Sequence, residues 1–257
     1  MGSGKWLERR HRRALSWWGA RFGRIPRRGG AVLGLFCDCE GGHAGPVGER
    51  FAEKGLDRLL QMLAEHELRI TFNVVADLCR TQPRNIRRIV EAGHEIACHG
   101  WRHERPSDLA GAQIEEMLAK AADCFAELGV RPAGFRSPQS AWSVGLVRCL
   151  GARGYRWNAE RDKAKYPYRI AGRLVRLPVA TDDWDLADGS GTVHDLLEKW
   201  RHGVDGAMRG GQVICLGLHE WIVGRDDDYA VALGRFLGEL CRGEAPAIRT
   251  LGEIAGR

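Results

Sequence analysis

From residue 31 to its end the chain alternates short apolar runs with amphipathic stretches, and this alternation limits the available folds more than any other feature. "AVLGLFCD" (31–38), "RITFNVV" (69–75), "HEIACHG" (94–100), "AGFRSP" (133–138), "YRWNAE" (155–160), "RLVRLPVA" (173–180) and "GQVICLGLHE" (211–220) read as strands. Between them, 49–68, 83–93, 106–129, 143–154, 192–204 and 228–242 read as helices, and "AIRTLGEIA" closes the chain. In 49–68, Leu56, Leu59, Leu60 and Leu63 form the core-facing stripe. Repeated β–α units predict a parallel sheet covered by helices. About seven strands over this length predict an α/β fold, a closed or nearly closed barrel, with its chemistry at the carboxyl ends of the strands.

The first 30 residues differ in composition. They carry nine Lys/Arg and one Glu, whereas the rest of the chain carries 30 Lys/Arg and 32 Asp/Glu. Residues 1–30 therefore read as a basic leader, joined through Pro26–Gly30 to a domain over 31–257. Leu7, Ala14, Leu15, Trp18 and Phe22 share one arc of a helix, and residues 5–28 could lie on an anionic membrane surface. A solvated tail or a helix packed on the domain would explain the same pattern. No base-reading motif accompanies the charge, so no nucleic acid is expected. No run reaches the ~18 apolar residues of a membrane span. The eight cysteines follow neither zinc-finger nor dense disulfide spacing. They predict a reducing, cytoplasmic setting.

Five strand ends carry ionisable groups: Asp38 and Glu40; His99 and His103; Arg136; Asp182 and Asp183 beside Trp184; and His219. Such groups at the ends of apolar strands need partners or a function. Residues i and i+2 of a strand face the same way, so Asp38 and Glu40 point together while Cys37 and Cys39 point to the helices. Thiolate ligation by Cys39 is the rival reading. His99-x-x-x-His103 lets two imidazoles converge on one metal from a helical turn, and a carboxylate would complete a two-His-one-carboxylate site. Gly100 stands where a metalloprotease helix has glutamate. His94 reads as a turn residue or as a support behind the ligands rather than as a ligand.

The ordered motifs "FCDCEGG", "GHEIACHGWRH", "GFRSP", "TDDW" and "LGLH" resemble those of the polysaccharide deacetylase family, the NodB-homology group. The resemblance implies a distorted (β/α) barrel of NodB-homology type that removes acetyl groups from sugars with Zn²⁺ or a related divalent ion (Co²⁺, Mn²⁺, Ni²⁺). It further implies Asp38 as general base, Glu40, His99 and His103 as metal ligands, and Arg136 as the holder of Asp38. His219 becomes the general acid, with Asp183 as its partner and Asp182 as a neighbour able to take that role. Trp184, Asp182 and Trp101 would form the substrate and acyl pocket. Two departures stand out. The first motif is Asp38-Cys39-Glu40 rather than adjacent aspartates, a form similar to a subgroup that includes cofactor-independent amidohydrolases. Gln139 follows the proline of "RSP", where an aromatic is usual. The expected function is a metal-dependent hydrolase removing an N-acetyl or N-formyl group from an amino-sugar, lipid-linked or soluble, in envelope glycan biosynthesis on the cytoplasmic side. A cofactor-independent allantoinase- or imidase-like amidohydrolase and a non-catalytic, membrane-associated glycan-binding protein are the alternatives.

Overall fold

A computed structural model of the chain describes residues 3–25, 29–242 and 244–256; of the expected linker, Pro26, Arg27 and Arg28 lie outside them. The strands are β1 (Val32–Cys39), β2 (Thr71–Val74), β3 (Glu95–Cys98), β4 (Gly134–Arg136), β5 (Trp157–Arg161), β6 (Tyr168–Ala171), β7 (Leu174–Val179), β8 (Thr181–Asp182), β9 (Val213–His219) and β10 (Ala247–Arg249). They form one curled sheet in the order β6-β7-β5-β4-β3-β2-β1-β9-β8, with β10 also on β1. Neighbours are parallel except β6 and β7. All seven expected strands are present. The expected barrel takes its distorted form, a curled half-barrel: among the described residues its ends, β6 and β8, do not pair. After β7 the chain runs straight into β8 through Ala180, whose N–H donates to the Cys215 carbonyl. No crossover helix intervenes to carry another strand round to the open side.

β1 is the axis of the sheet and is buried along its whole length. One side pairs with β9 from Val32 to Asp38; the other pairs first with β10 and then, from Phe36, with β2. This register sets Asp38 opposite Asn73 on one side and His219 on the other. Two apolar layers follow from strand alternation. Val32 and Phe36 join Trp157, Leu177 and Val179 inside the curl, while Leu33, Leu35, Cys37 and Cys39 meet the helices outside.

The helices are α1 (Ser3–Phe22), α2 (Pro46–Glu65), α3 (Leu78–Thr81), α4 (Pro83–Glu91), α5 (Gly111–Ala126), α6 (Val144–Ala152), α7 (Trp184–Ala187), α8 (Val193–Gly210), α9 (Glu220–Arg225), α10 (Asp227–Leu240) and α11 (Leu251–Ile254). α2 opens with Pro46 at its first position and Glu49 in its first turn, and buries Ala52, Leu56, Leu59 and Leu63. Each such leucine stabilises by roughly 1.5–3 kcal/mol. α2 also presses on α9: a Cβ at Gly55 would stand 1.7 Å from the Glu220 carbonyl oxygen, so only glycine permits this approach. The expected helix over 106–129 begins later. Pro106–Asp108 forms a separate 3₁₀ turn, and α5 starts at Gly111, where Gln113 accepts the Ala110 N–H.

α1 is packed on the domain. The Glu8 carboxylate accepts the N–H of Val144 at the start of α6 (2.8 Å), and Tyr166 Oη donates to the Ala20 carbonyl (3.1 Å). The Arg12 guanidinium lies 4.5 Å over the Trp142 ring. A Cβ at Gly19 would meet the Tyr168 ring at 2.6 Å. Leu15 and Ala20 rest against the outer core.

Candidate active site

Asp38 and Glu40 project into the curl from the end of β1. Cys37 and Cys39 face outward, and burial holds both thiols neutral, far above their usual pKa. The Asp38 carboxylate is fixed at both oxygens. Asn73 Nδ2 donates to Oδ1 at 2.7 Å and Arg136 Nε to Oδ2 at 3.1 Å. The same guanidinium donates to Ser140 Oγ (2.5 Å) and Asp182 Oδ2 (3.4 Å), and stands 3.8 Å from Glu160. Burial alone would lower the Arg136 pKa, but Asp38, Glu160 and Asp182 raise it, so the guanidinium stays charged.

Glu40, His99 and His103 offer ligand atoms within 4.8 Å of one another. His99 directly follows β3, and its Nδ1–H donates to the Arg136 carbonyl (2.9 Å), which leaves the Nε2 lone pair on the side of Glu40. His103 does not arrive on a helical turn, as its spacing suggested, but on a loop. Gly100 (φ 81°) and His103 (φ 66°) both take left-handed backbone there, and Glu104 Oε2 accepts the N–H groups of Trp101 and Arg102. Glu40 Oε1 lies 2.9 Å from His103 Nε2 and 3.6 Å from His99 Nε2. Neither buried nitrogen makes a hydrogen bond of acceptable geometry. Orphaned Nε2 atoms gathered on one carboxylate oxygen are the donor set of a divalent cation. The charge around them agrees. Among the described residues, Asp38, Glu40, Asp182 and Asp183 are buried carboxylates faced by buried Arg136, half-exposed Arg161 and the imidazoles of His99, His103 and His219. The residues therefore fit the implied metal. Although burial would raise the Glu40 pKa, the imidazoles of His103 and His99 hold it well below the carboxylate range.

Glu40 is itself held. Trp221 Nε1 donates to its Oε2 (3.0 Å), and Glu220 Oε1 accepts the N–H groups of Glu40 and Gly41, each at 2.7 Å. Gly41 has φ +53°, and a Cβ there would meet Leu78 at 2.7 Å, so this turn requires glycine.

His219 ends β9 with both its backbone N–H (3.0 Å) and its Nδ1 (2.6 Å) on the Asp183 carboxylate, which also accepts Tyr229 Oη (3.1 Å). Burial would lower the His219 pKa; the Asp183 carboxylate overrides it and holds the ring well above its ordinary value. Nε2 stands 3.8 Å from Asp38 Oδ2 and from Glu40 Oε1. The two aspartates thus divide the work: Asp183 serves His219, and Asp182 serves Arg136 and Arg161.

Asp38, Glu40, Arg136, Asp182 and His219 line a cavity of about 300 Å³ with His103, Gln139, Arg161 and Trp184. Trp184 stands at its mouth, 39% exposed, edge-on to Trp221. Trp101, expected in the acyl pocket, is elsewhere. Its ring lies under Arg102 and under Lys120 of α5, drawn by those cations away from the cavity. Sequence reasoning did not find Asn73, Glu220, Trp221 or Tyr229. Asn73 had a signal, a polar residue in the middle of an apolar strand, and Glu220–Trp221 follow His219 directly. Tyr229 had none. A larger hollow of about 850 Å³ lies by the amino ends of β2 and β3, around Leu68, Arg69 and His94, and gathers no comparable set of ligands.

Residues 44–157 match the polysaccharide deacetylase family. That span includes His99, His103 and Arg136 but neither the β1 carboxylates nor His219, which only the fold brings to them. A peptidoglycan deacetylase of Helicobacter pylori is 26% identical over 157 residues, 60% of this chain and 50% of that protein. The chain thus spans half or less of the length of the first curated relatives it matches. A solved polysaccharide deacetylase-type structure from Mycobacterium smegmatis aligns over 91% of this chain and 92% of its own, with a TM-score of 0.82 and 25% identity. The Puue allantoinase structure has the same fold, with a TM-score of 0.83 at 21% identity over 94% of this chain and 95% of its own. Family match, curated relatives and fold agree that this chain is similar to polysaccharide deacetylases, in sequence over residues 44–157 and in fold over nearly its whole length.

Proposed function

We propose that the protein is a divalent-metal-dependent hydrolase that removes an N-acetyl or N-formyl group from an amino-sugar. The reading is carried by one observation: Glu40, His99 and His103 converge beside Asp38 and the His219–Asp183 pair. Glu40, His99 and His103 would hold the ion, with Zn²⁺ first among Zn²⁺, Co²⁺, Mn²⁺ and Ni²⁺ for this donor set. When bound, the ion supplies a Lewis acid for the amide carbonyl and acidifies water. Asp38, held by Asn73 and Arg136, accepts the proton of the attacking water. His219 delivers a proton from Nε2 to the departing amine, since its Nδ1 is committed to Asp183. Asp183, fixed by Tyr229, keeps the ring oriented and charged until then. Trp184 closes the cavity mouth over the acyl group.

The substrate we infer is an intermediate of envelope glycan biosynthesis, lipid-linked or soluble, on the cytoplasmic side. Its support is a relative named as a peptidoglycan deacetylase and a described chain that is not cross-linked by disulfides. The test is release of acetate or formate from a panel of soluble and lipid-linked N-acyl amino-sugars by metal-loaded protein. Asp38→Asn serves as the control, and metal content is measured on the same samples. Release that stops on chelation and returns with Zn²⁺ supports the reading. Hydrolysis of small cyclic amides that survives chelation would replace it with the allantoinase-like alternative, whose fold is shared. No hydrolysis by loaded protein would favour a glycan-binding role.

A further inference from the structure

α1 turns the wrong face to water. Among the described residues, nine large hydrophobic side chains are substantially exposed, and five of them are on this helix: Trp6, Leu7, Trp17, Trp18 and Phe22. Trp17, Trp18 and Phe22 form one cluster, with ring centroids 4.6–6.2 Å apart. The helix is not loosely attached. Its opposite face is the one docked on the domain, through Glu8, Arg12, Leu15, Gly19 and Ala20. Packing thus fixes the aromatic face outward, and a contiguous apolar patch kept in water by the rest of the fold marks a contact site.

The charges on the face select the partner. Arg10, Arg13 and Arg21 are exposed among the aromatics, with Arg10 lying over Trp6 and Arg21 over Phe22. The helix's one acid, Glu8, is turned inward and spent on the Val144 N–H. The outward face is therefore cationic and aromatic with no carboxylate. A second copy would set arginine against arginine. A convex helix surface also offers no groove to track a nucleic-acid strand. Indole rings settle at the headgroup level of a bilayer, and arginine reaches lipid phosphate from an apolar bed. No helix of the described residues is long and apolar enough to cross a membrane.

We propose that the outward face of α1 seats the folded protein on an anionic lipid surface, with the Trp6, Trp17, Trp18 and Phe22 rings among the headgroups and Arg10, Arg13 and Arg21 on phosphates. The proposal does not rest on the deacetylase reading. Its test is co-sedimentation of the full chain with phosphatidylcholine vesicles, with and without phosphatidylglycerol, at low and high salt. Two triple variants, Trp17→Ser/Trp18→Ser/Phe22→Ser and Arg10→Gln/Arg13→Gln/Arg21→Gln, are compared with wild type. All six side chains are exposed, and circular dichroism with thermal melting verifies that both variants fold. Wild type should bind only vesicles containing phosphatidylglycerol, less tightly at high salt. The arginine variant should lose about a hundredfold in partition, at roughly one factor of five per basic residue, and the aromatic variant should lose binding as well. Wild type left in the supernatant, equal binding to neutral vesicles, or unchanged binding by either variant would overturn the proposal. So would a concentration-dependent dimer or single-stranded DNA binding that vanishes in the variants while vesicles remain unbound. Hydrolysis of a soluble N-acyl sugar, measured in parallel, separates the two failures. The aromatic variant should retain that rate, and no rate in any form would count against the proposed function alone.

Discussion

Arg136 shows why a few residues here cannot be exchanged. It is a buried cation shared by Asp38, Asp182 and Glu160, and its carbonyl fixes the tautomer of His99. One side chain therefore positions the proposed base and, through its own backbone, a metal ligand. Removing it leaves several buried carboxylates uncompensated, a loss of about 3–5 kcal/mol for each strongly paired charge. Asp38 and His219 are more separable. Asp38→Asn keeps the volume and the Asn73 and Arg136 neighbours but removes the proton acceptor, so kcat/KM should fall by roughly 10²–10⁴ while metal content is unchanged. Asp183→Asn acts on pH dependence. His219 must be protonated to donate, and the Asp183 carboxylate is what raises its pKa. With that charge gone the folded pKa drops, and the basic limb of the kcat/KM profile should move to lower pH; an unmoved limb would show that another group donates. Glu220 belongs to the same scale. Burial, and then the Glu40 charge, push its pKa up to about 8, while its Oε1 anchors the Glu40–Gly41 backbone. Glu220→Ala should weaken Zn²⁺ binding by about 10–100-fold, as loss of outer support does, and Glu220→Gln, which keeps an acceptor oxygen, should retain most of it in a competition titration.

At the scale of elements, the sequence and the structure agree where periodicity is strong. The seven strands and the stripe of α2 were legible because alternation and the 3.6-residue repeat survive in single sequences. The carboxylate pair on β1 was legible for the same reason: period two fixes its direction whatever the partners are. Three kinds of feature were hidden. β6 and β8 are short edge pieces with no apolar run of their own. The path of His103 depends on a loop with two left-handed residues, which spacing alone cannot distinguish from a helical turn. Trp101 looked like pocket wall until Lys120, nineteen positions along on α5, proved to hold its ring. The leader was half legible. Its helix and charge were evident, but the arc of Leu7, Ala14, Leu15, Trp18 and Phe22 read as one face is split, with Leu15 against the domain and the aromatics outside. What decides the split is Gly19, whose lack of a Cβ admits the Tyr168 ring and the Arg169 carbonyl of β6. Gly19→Leu should therefore undock α1. Overpacking of this kind costs about 1–3 kcal/mol, to be read as a lower melting temperature with the core far-ultraviolet spectrum retained. An unchanged melting point would mean that the helix contributes nothing to the stability of the domain.

Across the whole molecule, the two ends of the sheet are set for different electrostatic tasks. The carboxyl ends collect charge and tolerate it by pairing. At the amino ends the Glu95 carboxylate is buried against Thr71 and the Gly252 N–H, and His94 beside it is held neutral. It sits between α4 and β3 with its ring against Phe72, and its Nδ1 accepts the Ile70 N–H at 3.4 Å. Protonation would destroy that acceptor. Burial, with a contribution from the Arg69 charge, lowers the His94 pKa to about 4 from the ordinary 6.5. The folded state thus binds the proton less well than the unfolded chain does. The stabilising contribution is complete above about pH 6.5 and is lost as pH falls toward 4, because there the unfolded state takes up a proton that the native state refuses. The size of the effect is up to about 3 kcal/mol, less whatever solvent screens at a site near the surface. His94→Gln, which keeps a side-chain acceptor but cannot titrate, should therefore flatten the stability profile between pH 6.5 and 4 in urea unfolding while changing little at pH 8. Parallel profiles for the two proteins would mean that His94 is already solvated, and that acid sensitivity arises instead at the carboxylate-rich end.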